Sequence, residues 1–214
     1  ISLGISLIFF TVIRMKRLLQ SQVSYWSSLI GGILFLGLAT FLTFNHVTQE
    51  IDMREFRSNL IDLNDRYMRE HIPTVDRYQI DLDHQGNRVA IATKMEVENS
   101  TSESLEELIF SLNPGMKVGL CQVNGREVAY RQEQQIVAIK KALHAGDSAQ
   151  VTLHYAGIPD ERICHLDVPD RILYRGEHLT FFRLSKKFSF LTPEYLMFTP
   201  ELLWYPIPGT GFST

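Results

Sequence analysis

One uncharged stretch near the start of the chain most constrains how the chain can fold. Residues 25–44 read YWSSLIGGILFLGLATFLTF, and the nineteen residues from Trp26 to Phe44 carry no charge. At about 1.5 Å of rise per residue they form about 28 Å of helix, close to the ~30 Å hydrocarbon core of a bilayer. Tyr25 and Trp26 lie at one end, where aromatic side chains favour the membrane interface. The stretch predicts a transmembrane helix over residues 25–46; the alternative is a helix buried on every side in a soluble domain.

The distribution of charge predicts the orientation of this helix. Residues 1–46 contain Arg14, Lys16 and Arg17 and no acidic residue, whereas the rest of the chain has 18 Lys and Arg against 24 Asp and Glu, a net charge of −6. Short loops rich in Lys and Arg stay in the cytoplasm. We therefore expect residues 14–24 to form a cytoplasmic loop and residues 47–214 to lie outside. The acidic excess argues against nucleic acid as a partner.

A second apolar run opens the chain. Residues 1–13 are too few to span a bilayer, and a signal peptide would carry its basic residues before the run rather than after it. We interpret residues 1–13 as the end of a truncated helix and the chain as a fragment of a longer protein.

Residues 47–74 are charged, lack Gly, and contain one proline, Pro73, at their end. Their apolar side chains recur at helical spacing and form one stripe: Phe56, Leu60, Leu63 and Tyr67. Because the residue before a proline resists helical geometry, the pattern predicts a stalk helix that ends before Pro73. Its stripe packs either on the domain that follows or on a separate partner.

From Val75 onward the apolar residues change to a period of two. In residues 88–98 the apolar Val89, Ile91, Met95 and Val97 share the face predicted to be buried, with charged residues at 88, 94, 96 and 98 on the other face. Similar runs follow at 108–112, 117–123, 126–130, 135–139 and 149–155, and Asn124-Gly125 predicts a tight hairpin. Strands at about ten-residue spacing without intervening helices predict an extracytoplasmic, antiparallel β-sandwich over residues 75–214.

Two further features leave alternatives open. The aromatic and proline-rich residues after 158 either cover an edge of the sandwich or face a further domain. The two cysteines, Cys121 and Cys164, are too few for a disulfide scaffold, and form either one bridge or two ordinary buried thiols.

The motifs of several enzyme classes are missing from the sequence. It contains no HExxH zinc helix, no P-loop and no Gly-x-Ser-x-Gly nucleophile elbow. We therefore predict no catalytic residue, no metal ligand and no cofactor site in these 214 residues.

Five stretches, in order, resemble a known family. They are residues 63–73 (LNDRYMREHIP), 89–114 (VAIATKMEVENSTSESLEELIFSLNP), 117–130 (KVGLCQVNGREVAY), 143–159 (LHAGDSAQVTLHYAGIP) and 191–209, which contains Trp204-Tyr205-Pro206. Together they resemble a bacterial ABC-type permease membrane protein fused to an extracytoplasmic domain of the aminopeptidase N type, a zinc metallopeptidase.

The resemblance implies a function for the longer protein. The chain would cover the last membrane helix and the amino-terminal β-sandwich, a non-catalytic part that positions and partly covers a zinc peptidase domain further along the chain. Zinc would belong to that domain. The implied partners are the lipid bilayer, the catalytic domain of the same chain and an ABC ATPase subunit, at the bacterial inner membrane. The alternatives are a ligand-binding or coupling module of an ABC transporter without peptidase activity, and a single-anchor surface protein with a structural sandwich.

The resemblance also implies one substrate-binding residue. In this family a polar side chain of the sandwich, just before the aromatic-proline element, holds the free amino end of the substrate. Here Thr199-Pro200-Glu201 precedes Trp204-Tyr205-Pro206, and Glu201 is the nearest residue whose carboxylate can bind an ammonium group. The alternative is a solvated Glu in a proline-rich loop.

Overall fold

The computed structural model describes residues 22–69, 71–166 and 187–210, with side chains described from residue 30 onward except for His165. The predicted truncated helix (1–13) and most of the predicted basic loop (14–24) lie outside these residues. The chain divides into two compact units, Ile1–Glu55 and Phe56–Thr214.

A single helix, α1, spans Gln22–Tyr67. The sequence predicts two helices, a membrane helix and a stalk, whereas the structure has one. After Phe44 the side chains change from apolar to charged, so they favour water over hydrocarbon. No Gly or Pro accompanies this change, and the helix therefore continues without a break. The helix ends at Tyr67, and the Arg69 guanidinium donates hydrogen bonds to the carbonyls of Arg66 and Met68 at 3.1 and 3.0 Å.

Eleven described strands follow the helix. They are β1 (Thr74–Gln85), β2 (Arg88–Glu98), β3 (Leu108–Ser111), β4 (Met116–Val123), β5 (Arg126–Glu127), β6 (Tyr130–Glu133), β7 (Ile136–Ile139), β8 (Ser148–Gly157), β9 (Ser189–Leu191), β10 (Leu196–Phe198) and β11 (Ile207–Pro208). Two short 3-10 helices, Glu161–His165 and Pro200–Leu202, lie between the later strands.

The strands form antiparallel sheets, as predicted. A five-stranded sheet has the order β1-β2-β8-β4-β5, a four-stranded sheet has the order β11-β3-β7-β6, and β9 pairs with β10. The main core lies between the two larger sheets, since it combines side chains of β2, β4 and β8 with side chains of β3 and β7. The four residues of β2 that are predicted to face inward, Val89, Ile91, Met95 and Val97, all lie in this core, together with Phe110, Val151 and Leu153.

The end of α1 packs on the other face of the four-stranded sheet. Leu63 and Tyr67 contact a cluster with Ile109, Ile136 and Ala138, all of them buried. Leu60, with no exposed surface, joins a second cluster that includes residues of both 3-10 helices. The predicted apolar stripe therefore packs on the domain that follows it.

The joint between α1 and the sheet also contains buried polar groups. Gln135, which is 1% exposed, donates from Nε2 to the carbonyl of Leu60 at 2.8 Å and to Asn64 Oδ1 at 2.9 Å. Because a buried amide is costly unless it is hydrogen-bonded, these contacts fix how the helix meets the turn between β6 and β7.

The predicted hairpin between β4 and β5 is present. Asn124 and Gly125 both have positive φ angles, +52° and +74°, as a two-residue turn of this twist requires. Cys121 lies in the main core and Cys164 in the second cluster, and both thiols are buried and unbridged.

Candidate functional site

The predicted site residue Glu201 lies in the 3-10 helix Pro200–Leu202 and is exposed to solvent. The residues that follow it, Leu202 and Leu203, are buried in the second cluster. Leu203 has φ +52°, a left-handed conformation that is uncommon for a residue other than glycine. The chain thus turns sharply here, and the exposed Glu201 precedes two buried leucines that fix the turn to the second cluster.

A buried asparagine holds the backbone of this turn. Asn113 has no exposed surface, and its Nδ2 donates to the carbonyls of Leu202 and Asp160 at 2.7 and 3.0 Å. Its Oδ1 accepts from the backbone N–H groups of Asp160 and Gly115 at 2.7 and 2.9 Å. The Asn113 backbone N–H donates to the carbonyl of Leu203 at 2.8 Å. One side chain therefore ties together three loops that are distant in sequence.

Two tyrosine hydroxyls fix the aromatic-proline element that follows. Tyr155 donates to the carbonyl of Trp204 at 3.2 Å, and Tyr78 donates to the carbonyl of Pro206 at 3.0 Å. Burial, with a smaller contribution from Tyr205, raises the pKa of Tyr78 to about 12, and burial also raises the pKa of Tyr155. Both hydroxyls therefore keep their protons at neutral pH and remain donors.

The geometry around Glu201 offers limited chemistry. It presents one carboxylate on a well-anchored backbone, which suits a charge-assisted hydrogen bond to a cation. No group of three His, Cys, Asp or Glu side chains that could hold a metal ion occurs within residues 22–69, 71–166 and 187–210.

Sequence reasoning missed both Asn113 and a groove on the sheet. The Asn-Pro-Gly triplet at 113–115 signals a turn, but nothing local reveals the partners of its side chain. The groove, of about 520 Å³, lies on the outer face of the five-stranded sheet. This outer-face groove is lined mainly by Asp81, Asp83, Ala90, Ala92, Lys117, Gly119, His154 and Ala156. The alternation of β2 predicts this exposed face, but it does not predict which residues of β8 and β4 lie beside Ala90 and Ala92.

Comparisons with known proteins give the following results. No protein-family profile and no curated protein sequence matches the chain. Among solved structures, it is similar to an M1 zinc metallopeptidase from Deinococcus radiodurans, with a TM-score of 0.39 and 23% identity over 44% of this chain and 22% of that one. A Glu-to-Ala mutant of an M1 zinc metallopeptidase from that organism, bound to a Tyr-Ser-Ala substrate, gives the same values. The chain thus matches about a fifth of the length of these enzymes.

Proposed function

We propose that this chain is a membrane-anchored, non-catalytic part of a longer peptidase-like protein, with α1 crossing the bilayer and the sandwich outside the cytoplasm. The observation that carries the proposal is the exposed apolar surface of α1. Nine large hydrophobic side chains between Ile30 and Phe44 are each 43–69% exposed. A soluble protein rarely leaves a continuous apolar surface of this kind in water.

The polar side chains of this segment support the same placement. Thr40 and Thr43 donate from their hydroxyls to the carbonyls of Leu36 and Ala39, four residues earlier, both at 2.8 Å. A hydroxyl that is satisfied within its own helix needs no water, so these threonines are compatible with a hydrocarbon environment. By length and composition α1 is able to cross a membrane.

The role of the sandwich in this proposal is positional. The resemblance of the five stretches between residues 63 and 209 to the aminopeptidase N type supports a catalytic zinc domain in the longer chain, which the sandwich would position and partly cover. In that domain, zinc would activate a water molecule that attacks the peptide carbonyl. The same resemblance supports a permease-type membrane region at the bacterial inner membrane, with an ABC ATPase subunit as its partner.

A second candidate is an extracytoplasmic ligand-binding or coupling module of a transporter without peptidase activity. The outer-face groove favours it, because concave surfaces with a few charged side chains are typical of binding sites. The coding sequence that follows residue 214 distinguishes the two candidates. An HExxH motif there favours the peptidase, and its absence favours the transporter module.

Protease accessibility tests the membrane topology. We expect protease added to spheroplasts that express the chain to digest residues 75–157, while a cytoplasmic marker protein stays intact. The reason is the basic loop at residues 14–24 and the acidic excess beyond α1. Protection of both the sandwich and the marker would show that the orientation is wrong, and release of the chain by carbonate washing would show that α1 is not inserted.

A substrate contact for Glu201 stays a prediction within this proposal. The exposed carboxylate of Glu201, which lies next to the Leu202 backbone held by Asn113, is suited to bind the free ammonium group of a peptide. In the longer, zinc-loaded protein we expect Glu201→Ala to lower kcat/KM by about tenfold or more, which corresponds to about 1.4 kcal/mol. Glu194→Ala, at another exposed glutamate of the C-terminal region, is the matched control. Unchanged kinetics in a folded Glu201→Ala enzyme would end the idea.

A further inference from the structure

We propose that two copies of this chain pair through the outer-face groove, around a two-fold axis parallel to the strands and midway between β2 and β8. This pairing follows from the register of the sheet. Asp83 pairs with Ala90 across β1 and β2, Ala90 with Ala156 across β2 and β8, and Ala156 with Lys117 across β8 and β4. One row across the face therefore runs from a carboxylate, over two alanines, to an ammonium group.

The neighbouring row has the same order of side chains, from acidic on β1 to small on β2 to larger on β8. Asp81 pairs with Ala92, and Ala92 pairs with His154. Beyond His154 the register of β4 shifts, and Gly119 lies in that irregularity. Each row thus has acidic side chains at the β1 end, small residues in the groove, and its larger basic or imidazole side chain toward β4.

Charge pairing within the chain differs between the two ends of this face. At the far end, Arg77 forms an ion pair with Glu96 at 3.6 Å. At the groove end, the described part of the chain shows no ion pair for Asp81, Asp83 or Lys117. Asp83 instead accepts a hydrogen bond from Gln85 at 2.5 Å. The groove therefore offers charges of both signs to an incoming surface.

The small residues at the centre are unusual for a strand face that meets only water. Alanine and glycine are depleted in strands, where β-branched and aromatic residues are preferred. Ala90, Ala92 and Ala156 are partly buried in the floor of the groove. Their small side chains let a second sheet approach this face closely.

The two-fold operation turns these features into complementary contacts. Rotation about the proposed axis places β1 of one copy over β4 of the other and keeps each row at its own height. Asp83 then faces Lys117 of the second copy, and the reverse contact follows by symmetry, as in every isologous interface. In the next row His154 faces the small Ala92. Two sheets that pack face to face, about 10 Å apart, tolerate such an arrangement.

Charge exchange tests the proposal in the full chain. Sedimentation velocity in density-matched detergent, over about 1–100 μM protein, should show a dimer for the wild type. Asp83→Lys and Lys117→Asp each bring like charges together, so each should weaken the dimer at least tenfold. The double variant restores opposite charges in exchanged positions and should restore dimerisation. Both positions are exposed, so folding should survive, and near-ultraviolet circular dichroism checks it.

A matched control and three contrary outcomes make the test decisive. Lys140→Asp makes the same charge change on an exposed residue directly after β7 and should leave the dimer intact. A dimer that ignores both single substitutions would show association elsewhere, for example through α1, and overturn the proposal. A monomeric wild type would also overturn it, including one whose groove binds a zwitterionic peptide such as trialanine. Failure of the double variant to regain dimerisation would likewise overturn the proposal. None of these results depends on peptidase activity in the longer protein.

Discussion

Phe110→Ala should lower the free energy of unfolding by about 3–5 kcal/mol. Phe110 lies on β3 with no exposed surface, and it pairs with Val137 on one side and Pro208 on the other. Truncation to alanine removes the ring from the centre of the sandwich and leaves a cavity between the two sheets. Since domains of this size are stable by only about 5–15 kcal/mol, urea unfolding of the chain in detergent should show a large shift of the midpoint.

Lys94→Ala is the control for this substitution. Lys94 lies on β2 with an exposed side chain, so its truncation should change stability by no more than about 0.5 kcal/mol. Equal losses of unfolding free energy for Phe110→Ala and Lys94→Ala would mean that the structure places the sandwich core wrongly.

The strands with both a buried and an exposed face are the part of the fold that the sequence predicts best. β2 has the predicted bounds, 88–98, and its buried residues alternate with exposed or partly buried ones along the whole strand. β1 lies at the edge of the sheet, and all twelve of its residues are exposed or partly buried. Its alternation is therefore weak, and the pattern does not predict it as a separate strand. The end strands β9, β10 and β11 are short and lie among aromatic and proline residues, which mask any period.

One predicted strand is wrong for a physical reason. The sequence predicts a single strand over residues 126–130, whereas the structure has β5 (Arg126–Glu127) in the five-stranded sheet and β6 (Tyr130–Glu133) in the other. The chain crosses between the sheets at Val128 and Ala129. No Gly or Pro marks the crossing, and the alternation looks the same on both sides of it, so a periodicity argument joins the two strands.

The candidate site shows where sequence reasoning stops. The position of Glu201 before Trp204-Tyr205-Pro206 predicts it as a site residue, but the Asn113 contacts that hold the neighbouring Leu202 and Asp160 join residues 89 and 47 positions apart. The outer-face groove likewise depends on the register of four strands. Both are tertiary features, set by which strands become neighbours, and a local pattern contains no information about that choice.

Gly157→Ala is expected to destabilise the domain by about 3 kcal/mol or more, at the upper end of the cost of overpacking. Gly157 ends β8 and pairs with Val89 on one side and Met116 on the other. A Cβ added there would lie 2.1 Å from the backbone oxygen of Gly115, far inside any van der Waals contact. Because the obstacle is backbone, no side-chain rotation relieves it. The start of β4 would have to move, and with it the loop in which Asn113 holds Leu202.

Gly119→Ala is the matched control, since the same methyl group is added to a neighbouring strand of the same sheet. Its nearest contact would be the carbonyl oxygen of His154 at 3.9 Å, and Gly119 is not among the residues with positive φ. At such a position alanine restricts the unfolded chain more than the folded one, which stabilises a protein by about 0.4–1 kcal/mol. If urea unfolding shows that Gly157→Ala lowers the free energy of unfolding and Gly119→Ala raises it, the close approach of the β8 and β4 backbones is supported. A Gly157→Ala chain as stable as Gly119→Ala would exclude that approach, and with it the proposed link from Gly157 to the Asn113 loop.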